Sequence, residues 1–162
     1  MGLFDSFRKK NDDIVIGAVM KGKCINIKEV PDAAFADEIL GKGVAIVPVD
    51  GKVYAPVDGI ISMVFPTNHA IVMVTEEGAE LLIHVGLDTV SLKGAPFTVH
   101  TEAEAKVKKG DLLMEADLDA IKAANLETIT PIVVCNMDKF SGIKCLTGKD
   151  VIPGDEVMML GK

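Results

Sequence analysis

The sequence predicts an all-β protein, an antiparallel β-sandwich of short strands with one or two short helical turns. Two observations carry this prediction. The apolar residues come in bursts of about four to eight, which is the length of a strand. Fifteen glycines and seven prolines separate these bursts at turn spacing, as in Pro56-Val57-Asp58-Gly59 and Pro153-Gly154-Asp155. Many short strands with regular turns are typical of sandwiches and barrels.

Twelve segments have the apolar and β-branched pattern of a strand. They are 14–20, 23–28, 44–49, 52–55, 59–65, 70–75, 79–85, 97–100, 112–115, 131–135, 143–146 and 156–160. Two helical turns interrupt them: one covers 32–40, with Asp32 as a fair N-cap, and one covers 117–124, which has good helix formers. Neither is long enough to form a layer, so the strands are expected to build the core.

The first residues differ from the rest of the chain. We predict a flexible or amphipathic N-terminal leader over 1–13 and a single domain over 14–162, a usual length for one domain. Leu3, Phe4 and Phe7 would share one helical face, and positive charges follow them. Two interpretations stay open for residues 2–10: a frayed tail, or a weak contact with an anionic membrane surface.

The charge and the aromatic content argue against nucleic-acid binding. The chain has 17 basic and 24 acidic residues, a net charge of -7, no tryptophan and one tyrosine. It therefore lacks the basic patch and the stacking surface on which nucleic-acid binding depends. An acidic body suits basic protein partners better. No apolar run reaches the roughly 20 residues that a membrane-spanning helix needs.

The cysteines indicate a reducing compartment. Cys24, Cys135 and Cys145 are odd in number and lack a C-x-x-C spacing, and no signal-peptide pattern precedes them. We therefore expect buried, inert thiols and a cytoplasmic location.

His69 and His84 are candidates for chemistry because they flank a predicted hairpin. His69 starts one strand and His84 ends the next, with Glu76-Glu77-Gly78 between them. A loop of two or four residues would make the imidazoles neighbours on one face, about 5–8 Å apart. A three-residue loop without a bulge would place them on opposite faces. We predict that the two rings share one face.

Three interpretations of such a pair remain open. The rings could be hydrogen-bonded core histidines. They could bind a metal, although no third ligand has convincing spacing and His100 is remote in sequence. Finally, one imidazole could carry out chemistry with the help of the other, beside apolar side chains that form core or a docking patch.

Several motifs extend the pattern around the histidines. They are Ala55-Pro56-Val57-Asp58-Gly59, Thr67-Asn68-His69-Ala70, the stretch 84–90, Lys93-Gly94, the stretch 130–134 and Asn136-Met137-Asp138. Together they closely resemble the glucose-class enzyme IIA of the bacterial phosphoenolpyruvate-dependent sugar phosphotransferase system. The resemblance runs almost end to end, and the chain looks like the free-standing, cytoplasmic form of this module.

The resemblance implies a phosphotransferase component with a β-sandwich fold, and we expect no cofactor and no metal. His84 would accept a phosphoryl group on Nε2 from the phosphocarrier protein HPr and pass it to a cysteine on the IIB domain of a glucose-type permease, for sugar uptake and phosphorylation. His69 would contact the phosphoryl group, and Thr67 would orient His69. The resemblance also implies docking residues, which regulatory protein targets could share: Asp32, Phe35, Ile39, Leu40, Phe65, Val72, Leu82 and Asp88. Val72 and Leu82 replace positions that are aromatic in some relatives, which bears on partner preference.

Phosphoryl-transfer chemistry gives the histidine pair a physical role. A neutral imidazole can attack phosphorus through one nitrogen only if the other carries the proton, so Nδ1 of His84 should donate to a fixed acceptor such as a backbone carbonyl. An N–H of His69 would stabilise the charge on the transferring oxygens.

Two rival functions fit the sequence less well, and a third, a purely regulatory binding module, could use the same docking face. A lipoyl or biotinyl carrier domain, with Lys139 as the modified residue, would leave both histidines unexplained. A zinc peptidase would need H-x-x-x-D and H-x-H motifs, which the sequence lacks.

Overall fold

A computed structural model of the protein describes residues 13–162. The membrane contact predicted for residues 2–10, and the predicted leader apart from Asp13, lie outside the described residues. Within the described part the chain forms fourteen strands. They are β1 (Ile14–Gly17), β2 (Gly22–Asn26), β3 (Lys42–Pro48), β4 (Lys52–Tyr54), β5 (Gly59–Val64), β6 (Ala70–Thr75), β7 (Glu80–His84), β8 (Phe97–Val99), β9 (Lys106–Val107), β10 (Leu112–Ala116), β11 (Thr130–Val134), β12 (Gly142–Cys145), β13 (Lys149–Val151) and β14 (Glu156–Gly161).

The strands form one large and two small antiparallel sheets. The large sheet has eight strands in the order β13-β2-β3-β11-β7-β6-β5-β9, and the small sheets have the orders β4-β10-β8 and β1-β14-β12. All strands contribute to ladders in which neighbouring strands run antiparallel. The predicted all-β antiparallel architecture is confirmed.

The main core lies on one face of the large sheet, and residues of all three sheets contribute to it. Alternate side chains of a strand point to opposite faces. Leu81 and Ile83 of β7 therefore join this core, whereas Leu82 between them packs in a separate cluster on the other face. His84, at the end of β7, belongs to the same alternate set as Leu82.

The segment after β2 covers part of that other face. It contains a 3₁₀ turn at Ile27–Glu29, capped by Asn26, and a short helix α1 (Ala33–Ala36). Oδ1 of Asp32 accepts a hydrogen bond from the Ala34 N–H at 3.0 Å and so caps α1. The buried residues of this second cluster are Ile27, Val30, Phe35, Ala45, Ala70, Leu82, Leu87 and Val133. The cluster anchors α1 beside the end of β7.

The predicted elements match the observed ones closely, with two kinds of difference. All twelve predicted strands are present, but β9 and β13 were not predicted, since each is only two or three residues long and begins with a lysine. The helix predicted over 32–40 is shorter, because the chain leaves helical geometry at Glu38, which has a φ of 59°. The second helix, α2 (Leu118–Ala123), agrees with the prediction and is capped by Asp117.

The cysteines are reduced but not uniformly buried. Cys24 is buried, Cys145 is half-buried and Cys135 is exposed. The prediction of a buried thiol is therefore wrong for Cys135, which lies just beyond the end of β11. Burial raises the pKa of the Cys24 thiol to about 11, so this thiol is unreactive near neutral pH.

Among residues 13–162, no helix is long and apolar enough to cross a membrane.

Because β3 pairs closely with β11, we predict that a side chain at Gly43 destabilises the fold. A methyl group there would lie 2.0 Å from the carbonyl oxygen of Ile132, which is backbone in the centre of the large sheet. We expect Gly43→Ala to lower the free energy of unfolding by about 1–3 kcal/mol or more, because the ladder must shift to make room. Gly142→Ala in β12 is the matched control, since nothing lies within 4 Å of a methyl group at that position. Urea denaturation measures both; equal midpoints for the two variants would contradict the close approach of β3 and β11.

Candidate functional site

β6 and β7 form the predicted hairpin, but its register differs from the one that would make the histidines direct neighbours. Ala70 pairs with His84, and Ile71 pairs with Ile83. The turn between the strands spans residues 76–78, and the Thr75 N–H donates to the Ala79 carbonyl at 3.0 Å. A three-residue turn is the case in which regular strands would place the two imidazoles on opposite faces.

The two rings nevertheless lie together, because His69 precedes the regular strand. Residues 66–69 form a turn in which Asn68 has a φ of 58° and donates its N–H to the Phe65 carbonyl at 2.7 Å. This turn directs the His69 ring toward His84. The ring centroids are 4.8 Å apart, with an interplanar angle of 80°. The histidines are therefore adjacent as expected, although the loop length on which that expectation depended is wrong.

The Nδ1 atom of each ring forms a hydrogen bond with a residue two positions away in its own turn. His84 Nδ1 lies 2.8 Å from the Gly86 carbonyl oxygen, and His69 Nδ1 lies 2.6 Å from the Thr67 hydroxyl. A carbonyl oxygen only accepts hydrogen bonds, so the His84 proton resides on Nδ1. The neutral His84 ring then has its lone pair on Nε2, which is the form needed for nucleophilic attack.

Two phenylalanines flank the histidine pair. The Phe35 ring meets His84 edge to face at a centroid distance of 5.1 Å, and the Phe65 ring meets His69 in the same way at 5.3 Å. Edge-to-face contacts are favourable and directional. The four rings therefore form a row, Phe35-His84-His69-Phe65, in which each ring limits the rotation of its neighbour.

Burial keeps both imidazoles neutral near pH 7. His69 is 3% exposed, and its burial, followed by the neighbouring charge of His84, lowers its pKa to about 4. Burial also lowers the pKa of the half-buried His84, but the Gly86 carbonyl and the carboxylates of Asp32 and Asp88 oppose that shift. Positive charge is therefore easier to place on His84 than burial alone would allow.

The predicted docking residues divide by exposure. Ile39, at 71%, Leu40 and Asp88 are exposed, whereas Phe65, Val72 and Asp32 are half-buried. Phe35 and Leu82 were expected to be surface contacts, but both are buried. They pack in the second cluster, between α1 and the large sheet.

Sequence reasoning missed two exposed apolar residues beside the predicted ones. Met63 pairs with Val72 across β5 and β6 and is 43% exposed, and Val90, two residues after Asp88, is also exposed. A register shift between Ile61 and Met63 precedes the Met63 pairing, and the sequence carries no signal for such a bulge.

His100 lies elsewhere, as its separation in sequence suggested. It follows β8 in a small sheet, and its Nε2 is 2.8 Å from a carboxylate oxygen of Glu115 on β10. The structure does not bring His100 to the histidine pair.

The depressed pKa of His69 predicts a specific pH dependence of stability. An unfolded histidine takes up a proton near pH 6.5, whereas folded His69 does so only near pH 4. The unfolded state therefore gains stability as pH falls below 6.5, and the native protein should lose on the order of 2 kcal/mol through this residue by pH 5. Above pH 7 the ring is neutral in both states and adds no pH dependence.

Urea unfolding of the native protein and of His69→Gln measures this effect. The difference between their free energies of unfolding should stay constant above pH 7 and then move in favour of His69→Gln between pH 6.5 and 5. A difference that stays constant over the whole range would contradict the low pKa of His69.

Comparisons with known proteins agree with the geometry. The family model for the phosphoenolpyruvate-dependent sugar phosphotransferase system, EIIA 1, matches residues 14–140. The PTS system glucose-specific EIIA component of Haemophilus influenzae is 42% identical, with 98% of each chain covered. The component of the same name from Oceanobacillus iheyensis is 40% identical, with 97% of this chain and 95% of the relative covered.

Longer relatives and a solved structure extend the comparison. The glucose-specific EIICBA component of Streptococcus pneumoniae is 48% identical over 78% of this chain, which matches 18% of that longer protein. The solved structure of glucose permease IIA from Mycoplasma capricolum superposes with a TM-score of 0.84 at 33% identity, covering 92% of this chain and 96% of that one. The chain therefore belongs to the EIIA family of the phosphoenolpyruvate-dependent sugar phosphotransferase system and is a phosphotransferase component of that relay.

Proposed function

We propose that this protein carries a phosphoryl group on Nε2 of His84, which it receives from the phosphocarrier protein HPr and passes to a cysteine of a IIB domain. One observation supports this role above the others. Nδ1 of His84 donates to the Gly86 carbonyl at 2.8 Å, and the centroids of the His84 and His69 rings lie 4.8 Å apart. This arrangement provides a nucleophile in the correct tautomer beside a second imidazole that can contact the transferred group.

The acceptor step uses the lone pair on Nε2 of His84. This lone pair attacks phosphorus, a nitrogen–phosphorus bond forms, and the bond between phosphorus and the donor atom of HPr breaks. Positive charge develops on the imidazole during the attack while Nδ1 keeps its proton. The Gly86 carbonyl and the carboxylates of Asp32 and Asp88 favour that charge, since each of them raises the pKa of His84.

The neighbouring histidine serves as a neutral hydrogen-bond donor. If the Thr67 hydroxyl donates to Nδ1 of His69, the proton of the neutral His69 ring resides on Nε2. That N–H can then stabilise the charge on the phosphoryl oxygens in the transition state. Because burial lowers the His69 pKa to about 4, the ring meets the incoming phosphoryl group as a neutral donor near pH 7.

The surface around the pair suits a basic protein partner with an apolar centre. Ile39, Leu40 and Met63 supply exposed apolar area, and Asp32 and Asp88 supply negative charge close to His84. A docked partner would remove water from the site and so protect the phosphohistidine from hydrolysis.

The names of the relatives support a IIB domain as the receiving partner. The related EIICBA and EIIBCA components of Streptococcus pneumoniae and Halalkalibacterium halodurans carry EIIB and EIIC parts in the same protein. A glucose-type permease is the proposed destination, since the full-length relatives are named glucose-specific EIIA components.

Three histidine variants test the proposed roles. His84→Ala should accept no phosphoryl group from phospho-HPr, because it lacks the nucleophile. His69→Gln keeps an N–H donor near the same place but not with the aim of the imidazole, so it should be labelled more slowly, by less than the roughly 10²- to 10³-fold that complete loss of a well-aimed donor costs. His100→Ala is the control and should match the native protein, because His100 pairs with Glu115 outside the site.

Mass spectrometry that maps the acid-labile phosphate reads out these variants. Phosphate on His69, or undiminished labelling of His84→Ala, would overturn the assignment of His84 as the acceptor.

Asp32 and Asp88, which we call the acidic rim of the site, predict a salt-dependent association with HPr. Raising ionic strength from about 0.01 M to 0.15 M shortens the Debye length from roughly 30 Å to 8 Å, so the association rate constant should fall as steering is screened. Asp88→Asn should bind more slowly at low salt and show a weaker dependence. Asp138→Asn, in the turn after β11, provides a charge-matched control away from His84. Stopped-flow binding measures the rates; native kinetics that do not change with salt would contradict the role of the rim.

A further inference from the structure

The Gly86 carbonyl can fix the His84 tautomer only if its own turn is fixed. Residues 85–89 leave β7 in a tight turn in which Gly86 has a φ of 79° and Asp88 a φ of 59°. Both values lie in the left-handed region, which a free chain visits only part of the time. A turn of this kind needs other contacts to hold its carbonyl in one direction.

The Thr89 side chain stabilises this turn through two contacts with its backbone. Its side chain is fully buried, and its hydroxyl donates to the Val85 carbonyl at 2.6 Å. Its methyl group packs against Gly86, since a Cβ built on that glycine would lie 2.5 Å from Cγ2 of Thr89. One side chain therefore contacts both Val85 and Gly86, the two residues that lead to the carbonyl group whose oxygen accepts from His84.

A second contact ties the same turn to the rest of the fold. The Leu87 N–H donates to the Glu127 carbonyl at 3.0 Å, in the segment that leads into β11. The turn is thus anchored at Leu87 by backbone and at Val85 and Gly86 by Thr89. Thr89 is the only one of these anchors that a side-chain substitution can remove without touching the backbone.

We propose that Thr89 is a positioning residue for phosphoryl transfer: it holds the 85–89 turn so that the Gly86 carbonyl keeps the proton on Nδ1 of His84 and leaves Nε2 free to attack. The inference rests on the proposed function of His84. Thr89 is buried and already hydrogen-bonded, so it acts through Gly86 and does not touch the phosphoryl group.

Thr89→Val tests the proposal with little change of shape. The variant keeps a methyl group against Gly86 but removes the hydroxyl, so the Val85 carbonyl loses its partner and the turn loosens. We expect the share of the Nε2–H tautomer of His84 to rise, as measured by ¹⁵N chemical shifts of the ring nitrogens. Phosphoryl transfer at saturating HPr should slow by about tenfold, the usual equivalent of one lost hydrogen bond. The KM for HPr should change less than the transfer rate, because Thr89 itself is buried and only its neighbour Asp88 belongs to the docking surface.

The His84 pKa gives a second readout. The groups that face this ring are the Gly86 carbonyl, the Asp32 and Asp88 carboxylates and the His69 ring. Of these, the Gly86 carbonyl and Asp88 belong to the turn that Thr89 holds, and both raise the His84 pKa. A weaker bond to Gly86 should therefore lower the His84 pKa further below that of the native protein.

Two further variants serve as comparisons. Thr89→Ser keeps the hydroxyl and should retain the native tautomer and a rate close to native. Ser91→Ala removes a similar hydroxyl bond from a residue two positions beyond the turn, from Ser91 Oγ to the Asp88 carbonyl at 2.7 Å, and should leave the tautomer unchanged.

The outcomes separate this inference from the proposed function. A folded Thr89→Val with the native tautomer and rate would overturn the positioning role. If Thr89→Val does not fold, Thr89→Ala, which removes both the hydroxyl and the methyl contact, decides: a raised share of the Nε2–H tautomer supports the positioning role, and the native tautomer overturns it. If the native protein takes no phosphoryl group from HPr, the proposed function fails, while the ¹⁵N comparison still tests the role of Thr89 in setting the tautomer.

Discussion

The hydrogen bond from Nδ1 of His84 to the Gly86 carbonyl is the interaction on which the site depends. It places the ring proton on one nitrogen and leaves the other as a nucleophile. The rest of the local structure keeps that bond in place: β7 delivers the imidazole, and the turn at 85–89 delivers the carbonyl. Because donor and acceptor are two residues apart, small changes in the turn act directly on the chemistry.

The large sheet provides the rigid support that this short-range geometry requires. One face of the sheet packs against the main core, and the other is covered in part by the segment that contains α1. Phe35 in that segment contacts the His84 ring, and Phe65 contacts the His69 ring. The second cluster therefore has two consequences: it buries apolar area and it orders the imidazoles from both sides. The same burial lowers both histidine pKa values, which keeps the rings neutral.

The sequence was sufficient to predict the β architecture, because alternation and turn residues are local signals. It was also sufficient to select His69 and His84 and to expect a carbonyl partner for Nδ1. It could not set the hairpin register, since a change of one residue in the turn reverses the faces. The approach of the two rings depends on the turn at 66–69, outside the strand, and the burial of Phe35 depends on where α1 packs. The first is a local turn whose direction the strand pattern does not specify, and the second is a tertiary effect that no local pattern of residues encodes.

The attachment point of the phosphoryl group tests the account most directly. After phosphorylation by phosphoenolpyruvate, enzyme I and HPr, the protein with ¹⁵N-labelled histidine can be observed by ¹⁵N and ³¹P NMR. The account predicts a one-bond coupling between phosphorus and Nε2 of His84, together with a retained proton on Nδ1. Coupling to Nδ1 of His84, or to either nitrogen of His69, would contradict it.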